Sequence, residues 1–475
     1  MKILKNYFWN MSYQIFAIIV PIILFPYVNR HLGPTSVGIN SYTYSLAQIF
    51  MVIGDLGVAN YGTKLIAQHR NDISEKSRIF ANIISMRFII VFLAYCLYEL
   101  YVVISGKYVL FYSLQGIIIL ASIFDFSWFF MGIEKFKIIT IRNMTVRLGT
   151  LLLIFAFVKY PKDLWIYILI MSLSNLFGNL LMIKPLTNEL HFSKISFKEI
   201  IKHLKFSLIY FIPQVSMQVY QTLYKFILGS IVGVEAAGFF DNSDKLVNLI
   251  LTILSSLSMV ILPNITHKVS EKSVDDVKTF FYKYFDYMMF LSFPMMAGLS
   301  AISLKFAPWF FGSQFKSVGI LLMIESFDII SVGIGLALSS YFISTNQIFK
   351  YNFAIISGAV FCLTVGISLI LVYGMIGSMW GIVLTEAFIS TFEIIMLRKQ
   401  LSIKKLFSHF HYYAISAFLL FIAVFSLSLL FRFNFYLLVL QVLVGSIIYI
   451  SCIWLFKLPI VFEVFSVLKR FKKVK

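Results

Sequence analysis

Charge is scarce in this sequence. Asp, Glu, Lys and Arg make up 13% of its 475 residues, about half the share usual in a soluble chain. Acids are scarcest, 21 against 40 bases, for a net charge of +19. The three cysteines, Cys96, Cys362 and Cys452, all lie in apolar runs. That excludes a disulfide framework and suits small core residues. The seven histidines sit mostly at the ends of apolar runs, without metal-ligand spacing. No phosphate-binding loop and no nucleophile motif is present, which argues against direct nucleotide hydrolysis. Little polar sequence is left over for a soluble domain.

What fills the chain instead is apolar: 60% hydrophobic and 17% aromatic, with mean hydropathy +0.89. Run after run reaches the length, about 18–20 residues, that crosses a hydrocarbon core. The runs are continuous rather than alternating, so they predict helices and not barrel strands. Fourteen membrane helices are expected, at 8–28, 40–61, 80–104, 109–132, 141–158, 164–183, 206–229, 240–263, 281–304, 317–342, 351–372, 376–397, 410–431 and 437–456. The first follows Lys2 and Lys5 but is too long for a signal peptide, and no small-residue cleavage site follows it. The expected fold class is thus an all-α polytopic membrane protein.

Basic residues orient it. With the N-terminus inside, 30 of the 40 Lys and Arg face the cytoplasm and seven face outward, while Arg87, Lys225 and Lys245 lie inside helices. This asymmetry places both termini inside. It also accounts for the positive charge through cytoplasmic loops and anionic lipid, so no nucleic-acid partner is expected. The longest cytoplasmic connection, 185–205, is basic and weakly amphipathic. It divides an N-terminal lobe, 1–184 (helices 1–6), from a C-terminal lobe, 206–397 (helices 7–12). Residues 398–475 hold helices 13 and 14 and a basic tail.

A repeat supports two lobes. "GPTSVGINSYTYSLAQI" (33–49) is echoed 200 positions later by "GVEAAGFFDNSDKLVNL" (233–249), with Gly33/Gly233, Gly38/Gly238 and Leu46/Leu246 in register. Six helices separate the copies, so both point the same way, as in parallel-repeat transporters. Helices one and seven each hold an internal proline, Pro21 and Pro213, suited to a bend.

Charges within helices are costly in lipid and need partners or water. Asp55, Arg87, Asp125 and Arg147 fall in one layer, roughly 9–12 Å from the cytoplasmic end at the helical rise. Lys225 and Lys245 lie nearer the outside, and Arg30 stands at the outer mouth. Glu325, Asp328 and Glu386 lie deeper on helices ten and twelve. Two readings are open: ion pairs between helices, such as Arg87 with Asp125, or a hydrated passage. In the second, Arg30, Arg87, Arg147, Lys225 and Lys245 hold an anionic substrate. Asp55 and Asp125 then position the inner arginines, while Glu325, Asp328 and Glu386 take a coupling proton or Na+. No metal, catalytic residue or organic cofactor is expected.

Three stretches resemble a known family: "FPYVNRHLGPTSVGINSY" (25–42), "GDLGVANYGTKLIAQHRND" (54–72) and "FDFSWFFMGIEKFKIITIRN" (124–143). Together with 233–249, they are similar to the Wzx-type polysaccharide flippases of the multidrug/oligosaccharidyl-lipid/polysaccharide (MOP) superfamily. The chain departs from that pattern at Tyr224, where such proteins often carry Asp. The resemblance implies a non-enzyme of the bacterial cytoplasmic membrane, built as two six-helix lobes plus two C-terminal helices. It would pass undecaprenyl-diphosphate-linked oligosaccharide to the outer leaflet by alternating access around a partly cationic cavity, for capsule or O-antigen assembly. Its partners would be that glycan lipid, membrane lipids and polymerase machinery. A teichoic-acid flippase, a cation-coupled drug antiporter and, less well, a membrane glycan polymerase or glycosyltransferase are the alternatives.

Overall fold

The computed structural model describes residues 2–271 and 274–460. The basic tail beyond 460 lies outside them, as does the side chain of Pro213. The protein is an all-α polytopic membrane protein, with no strand among the described residues.

The chain separates into two compact units, Met1–Gly238 and Phe239–Lys475. The first holds α1 (Lys2–Asp55), α2 (Val58–Gln68), α3 (Ile73–Ser105), α4 (Val109–Ala121), α5 (Ser127–Gly132), α6 (Phe136–Phe157), α7 (Leu164–Leu180), α8 (Ile183–Thr187), α9 (Phe197–Gln218), α10 (Tyr224–Ile231) and the first turn of α11 (Val234–Glu271). The second continues α11 into α12 (Val274–Phe311), α13 (Lys316–Glu325), α14 (Asp328–Ser344), α15 (Ile348–Phe361), α16 (Ile367–Leu397), α17 (Ile403–Leu406), α18 (Phe410–Leu430) and α19 (Phe435–Leu455). Drawn by contact, the division falls after α10, because α9 packs on α2 and α3.

Among the described residues nine stretches are long and apolar enough to cross a membrane, or ten if the bent pair Ser313–Glu325 and Asp328–Ser344 counts as one. Two of the nine, Ile19–Gln68 and Ile348–Leu397, are 50 residues long. At the helical rise each is about 75 Å of helix, more than two bilayer cores. Each turns back at a glycine with non-helical backbone: Gly33 (φ 74°, ψ 171°) in α1 and Gly374 (φ 57°, ψ −130°) in α16. The expected loop after helix one is therefore a single residue. Pro34 follows Gly33 and restarts the helix, as a proline at a first helical position can. The fourteen expected segments overlap helices, with breaks inside those at 40–61, 109–132 and 317–342.

The two copies of the echoed turn meet. A Cβ on Gly238 would lie 2.8 Å from the Gly38 Cα, and one on Gly38 would strike the Val234 carbonyl. Thr35 donates to the Glu235 carboxylate, again 200 positions away. Tyr42 stacks on Phe226 at 4.8 Å (5° between planes) and its hydroxyl is 3.1 Å from Ser230 Oγ. Helix backbones approach this closely only where side chains are absent.

Gly38→Ala should thus lower the unfolding temperature in detergent by several degrees, since overpacking costs about 1–3 kcal/mol. Gly149→Ala, in α6 with nothing within 4 Å of its Cβ position, should be neutral or stabilising. Equal unfolding temperatures for the two variants would show that the close approach is not structural.

Candidate functional site

The inner charges are assembled by breaks in helices. α1 ends at Asp55, and Leu56 and Gly57 follow with φ 48° and 76°. The second of these positions is also crowded: a Cβ on Gly57 would lie 2.8 Å from the Phe211 nitrogen on α9. The fourth expected helix breaks too. α4 gives way to a 3-10 turn, Ser122–Phe124, then to extended backbone at Asp125 (φ −78°, ψ 97°) before α5 begins. Asp125 Oδ1 accepts from the Ser127 amide (3.0 Å) and the Ser127 hydroxyl (2.5 Å), an Asx-type start to the next helix.

Arg87 on α3 reaches both breaks. It is 3% exposed. Its Nη2 lies 3.1 Å from Asp55 Oδ1, and its Nη1 donates to the Asp125 backbone carbonyl at 2.8 Å. Asp55, Arg87 and Asp125 thus meet, but the guanidinium takes the carboxylate of Asp55 and only the backbone of Asp125. The Asp125 carboxylate faces Arg142 on α6, at 3.5 Å. Arg142 also donates to Ser127 Oγ (2.6 Å) and Asn179 Oδ1 (3.1 Å), and Asn179 donates to the Ala121 carbonyl (2.7 Å). One polar chain therefore runs from α1 to α7.

Arg142 was missed at the sequence level, although it stands inside the stretch 124–143. Arg147, the arginine expected in the layer, is half-buried further along α6. The two motifs either side of the network pack on each other. Gly62 lies so close to Trp128 that a Cβ would approach its ring at 2.5 Å, Gly132 faces Ile66, and Thr63 Oγ1 donates to the Trp128 carbonyl at 3.1 Å.

Lys225 is buried on α10, just after a π-helical turn at Val219–Leu223; such turns are frequent at functional sites. Lys245 pairs with Asp241 one turn before it on α11. Arg30 is exposed on α1.

The second unit gathers carboxylates. Glu325 ends α13 and Asp328 begins α14, with the helices bent by 45° between them. Both are buried, and Asp328 lies within electrostatic reach of Glu386, Glu325 and Asp244. Glu393 on α16 is buried as well and was not foreseen, since it lies near the end of an apolar run.

A separate apolar groove of about 490 Å³ runs between α12 and the two C-terminal helices. Pro294, Gly298 and Ile302 form one wall, and Leu420, Gly445 and Tyr449 line the opposite side.

Residues 3–268, more than half of the chain, match the polysaccharide biosynthesis protein family. The chain belongs to this family. The Wzx-type resemblance stands with it, since every stretch that carried the resemblance falls within the match. A provisionally named O-antigen transporter of Escherichia coli (strain K12) is 24% identical over 254 residues, 52% of this chain and 61% of that protein. A second relative with that name, from Shigella dysenteriae, is 21% identical over 79% of this chain and 94% of its own. Among solved structures, lipid II flippase MurJ in an inward closed conformation is similar at TM-score 0.71 and 14% identity, over 95% of this chain and 98% of its own. An inward-facing multidrug resistance MATE family transporter of the MOP superfamily follows at 0.62 and 13%, over 82% and 94%. These two share the fold with this member of the polysaccharide biosynthesis family.

For this family member, removing Arg87 takes away the guanidinium that the half-buried Asp55 pairs with, at a cost of about 3 kcal/mol, the low end for a buried pair. Arg87→Ala should therefore unfold well below wild type in a detergent melt, and Asp55→Ala/Arg87→Ala should regain much of the loss. A double variant no more stable than the single one would show that the pair does not hold the helices.

Proposed function

We propose that this chain is a flippase of the bacterial cytoplasmic membrane. It moves undecaprenyl-diphosphate-linked oligosaccharide units from the inner to the outer leaflet by alternating access, for capsule or other surface polysaccharide. The observation that carries this reading is the apolar groove beside α18 and α19. A lipid-linked substrate has a long apolar chain that stays in an apolar setting while its sugars and phosphates need a polar path. A small drug needs no such groove, which favours a flippase over the antiporter alternative. The lipid II flippase, similar in fold over 95% of this chain, and the relatives named for O-antigen transport support the same substrate class. Arg30, Arg147 and Lys225 are our choices for headgroup contact. Arg87 and Lys245 stay in the same set, each also held by an acid, Asp55 and Asp241. Polymerase machinery would receive the product outside.

Coupling is the second part of the proposal. Glu325, Asp328 and Glu386 put like charges near one another in a dry interior, which favours a proton or cation among them. A proton or Na+ would serve, and the pH dependence below separates the two.

Two experiments test these readings. Gly298 lies on the groove wall with open space at its Cβ position, so Gly298→Phe fills the groove without a clash. Lipid-linked glycan should then accumulate on the cytoplasmic face at a normal protein level, the outcome also expected on depletion of the protein; undiminished export would remove the groove from the path. Glu325→Gln, Asp328→Asn and Glu386→Gln, made singly, should abolish or alter the dependence of transport on a pH gradient. Unchanged dependence in all three would exclude proton coupling there.

A further inference from the structure

Away from the polar chain, the first unit holds a second cavity. α2, the start of α3 and the first turns of α9 enclose about 490 Å³ at the end of the unit that the basic loops assign to the cytoplasm. Its charged lining is Lys64, Arg78, Lys202, His69, Glu75, His203 and Glu199. The two acids are engaged: Arg78 holds Glu75 at 2.7 Å and Glu199 at 3.0 Å, and Glu199 also accepts from Asn82 at 2.7 Å. Neither Lys64 nor Lys202 reaches a carboxylate among the described residues. Lys64 instead donates to the Tyr210 hydroxyl at 3.2 Å, with its ammonium 5.9 Å from the ring centroid. His203 shares a 2.8 Å hydrogen bond with Tyr61. Burial, against the pull of Glu199, holds its imidazole below the ordinary pKa, so Lys64, Arg78 and Lys202 against Glu75 and Glu199 leave one positive charge in surplus, with the two lysines outside any ion pair among the described residues.

The rest of the lining is apolar or aromatic. Tyr61, Phe206 and Tyr210 form an aromatic wall, with Tyr61 and Phe206 stacked at 6.5 Å. Leu65, Ile79 and Ile209 complete it, and Phe206 and Ile209 are exposed on α9. A site that sets two lysines, outside any ion pair among the described residues, beside an apolar and aromatic flank is matched to an amphiphile. A soluble anion would leave the flank unused, and a neutral lipid would leave the lysines uncompensated. Basic pockets at the cytoplasmic ends of membrane helices bind such headgroups.

We propose that this cavity binds the phosphate headgroup of an anionic phospholipid of the inner leaflet, with Lys64 and Lys202 on the phosphate and Phe206 and Ile209 along the acyl chains. The proposal does not rest on the substrate proposed above.

Full-length protein in detergent, titrated with phosphatidylglycerol and followed by native mass spectrometry, tests it. Lys64→Gln/Lys202→Gln should weaken phosphatidylglycerol binding by about tenfold or more, at roughly 1 kcal/mol per basic residue near a lipid surface. Lys64→Arg/Lys202→Arg should keep it, and inorganic phosphate at the same concentration should not displace the lipid. Both lysines are exposed, so the variants should fold. Unchanged phosphatidylglycerol binding in the glutamine variant would overturn the site, and displacement by inorganic phosphate would overturn its lipid character.

Discussion

The first unit is organised around the cost of burying Arg87. A guanidinium at this depth cannot be left without acceptors, and its own helix offers none, because the backbone carbonyls of α3 are spent within the helix. Acceptors must come from elsewhere, and they are supplied where two other elements stop being helical. α1 ends at Asp55, which frees that carboxylate from a crowded helix face. The break after α4 frees the Asp125 carbonyl, which an uninterrupted helix would use internally. Broken helices and buried charge are thus one feature: each break exposes polar backbone that would be costly in lipid, and the arginine turns that cost into a bond between helices.

The same dependence explains why separate stretches of sequence belong together. The glycines of 54–72 are spaced to admit the tryptophan of 124–143. Gly62 makes room for the Trp128 ring, Gly132 lets Ile66 approach, and Thr63 ties the two backbones. Any side chain at Gly62 would displace Trp128, which lies in the same core as Phe129, Ile83 and Met86. That core fixes α3, and with it the height of Arg87. A motif that reads as two short patterns is one contact in the fold.

Much of this was legible in the sequence, and the gaps have physical causes. Run length and loop charge are imposed by the bilayer, so the helical segments, the glycine turn at 33 and the proximity of Arg87, Asp55 and Asp125 could be read directly. The partners among them could not. Counting residues from a helix end assumes a straight helix, and "FDFSW" breaks without a proline or glycine to announce it. The break turns the Asp125 carboxylate away from Arg87 and toward α6, where Arg142, not Arg147, is in reach. Asp241 and Glu393 were missed for a related reason: acids near a segment end read as solvated until the fold shows them buried.

The two units treat their buried charge differently. In the first, Arg87 and Arg142 meet the carboxylates of Asp55 and Asp125, a hydroxyl, an amide oxygen and a backbone carbonyl, so the polar chain from α1 to α7 sets two bases against two acids. Such a chain resists rearrangement, because every bond broken leaves a charge without compensation in a low dielectric. In the second unit Lys245 pairs with Asp241, but Asp328 also faces acids of its own sign, Glu386, Glu325 and Asp244. Packing alone cannot satisfy that arrangement, since like charges at close range in a dry interior call for a proton or a cation. The bend between α13 and α14 falls between Glu325 and Asp328, so a change in charge there would act on a helix that is already broken. Under the proposed flippase mechanism, the first unit then supplies the fixed frame and the second the element whose electrostatics can change during a cycle.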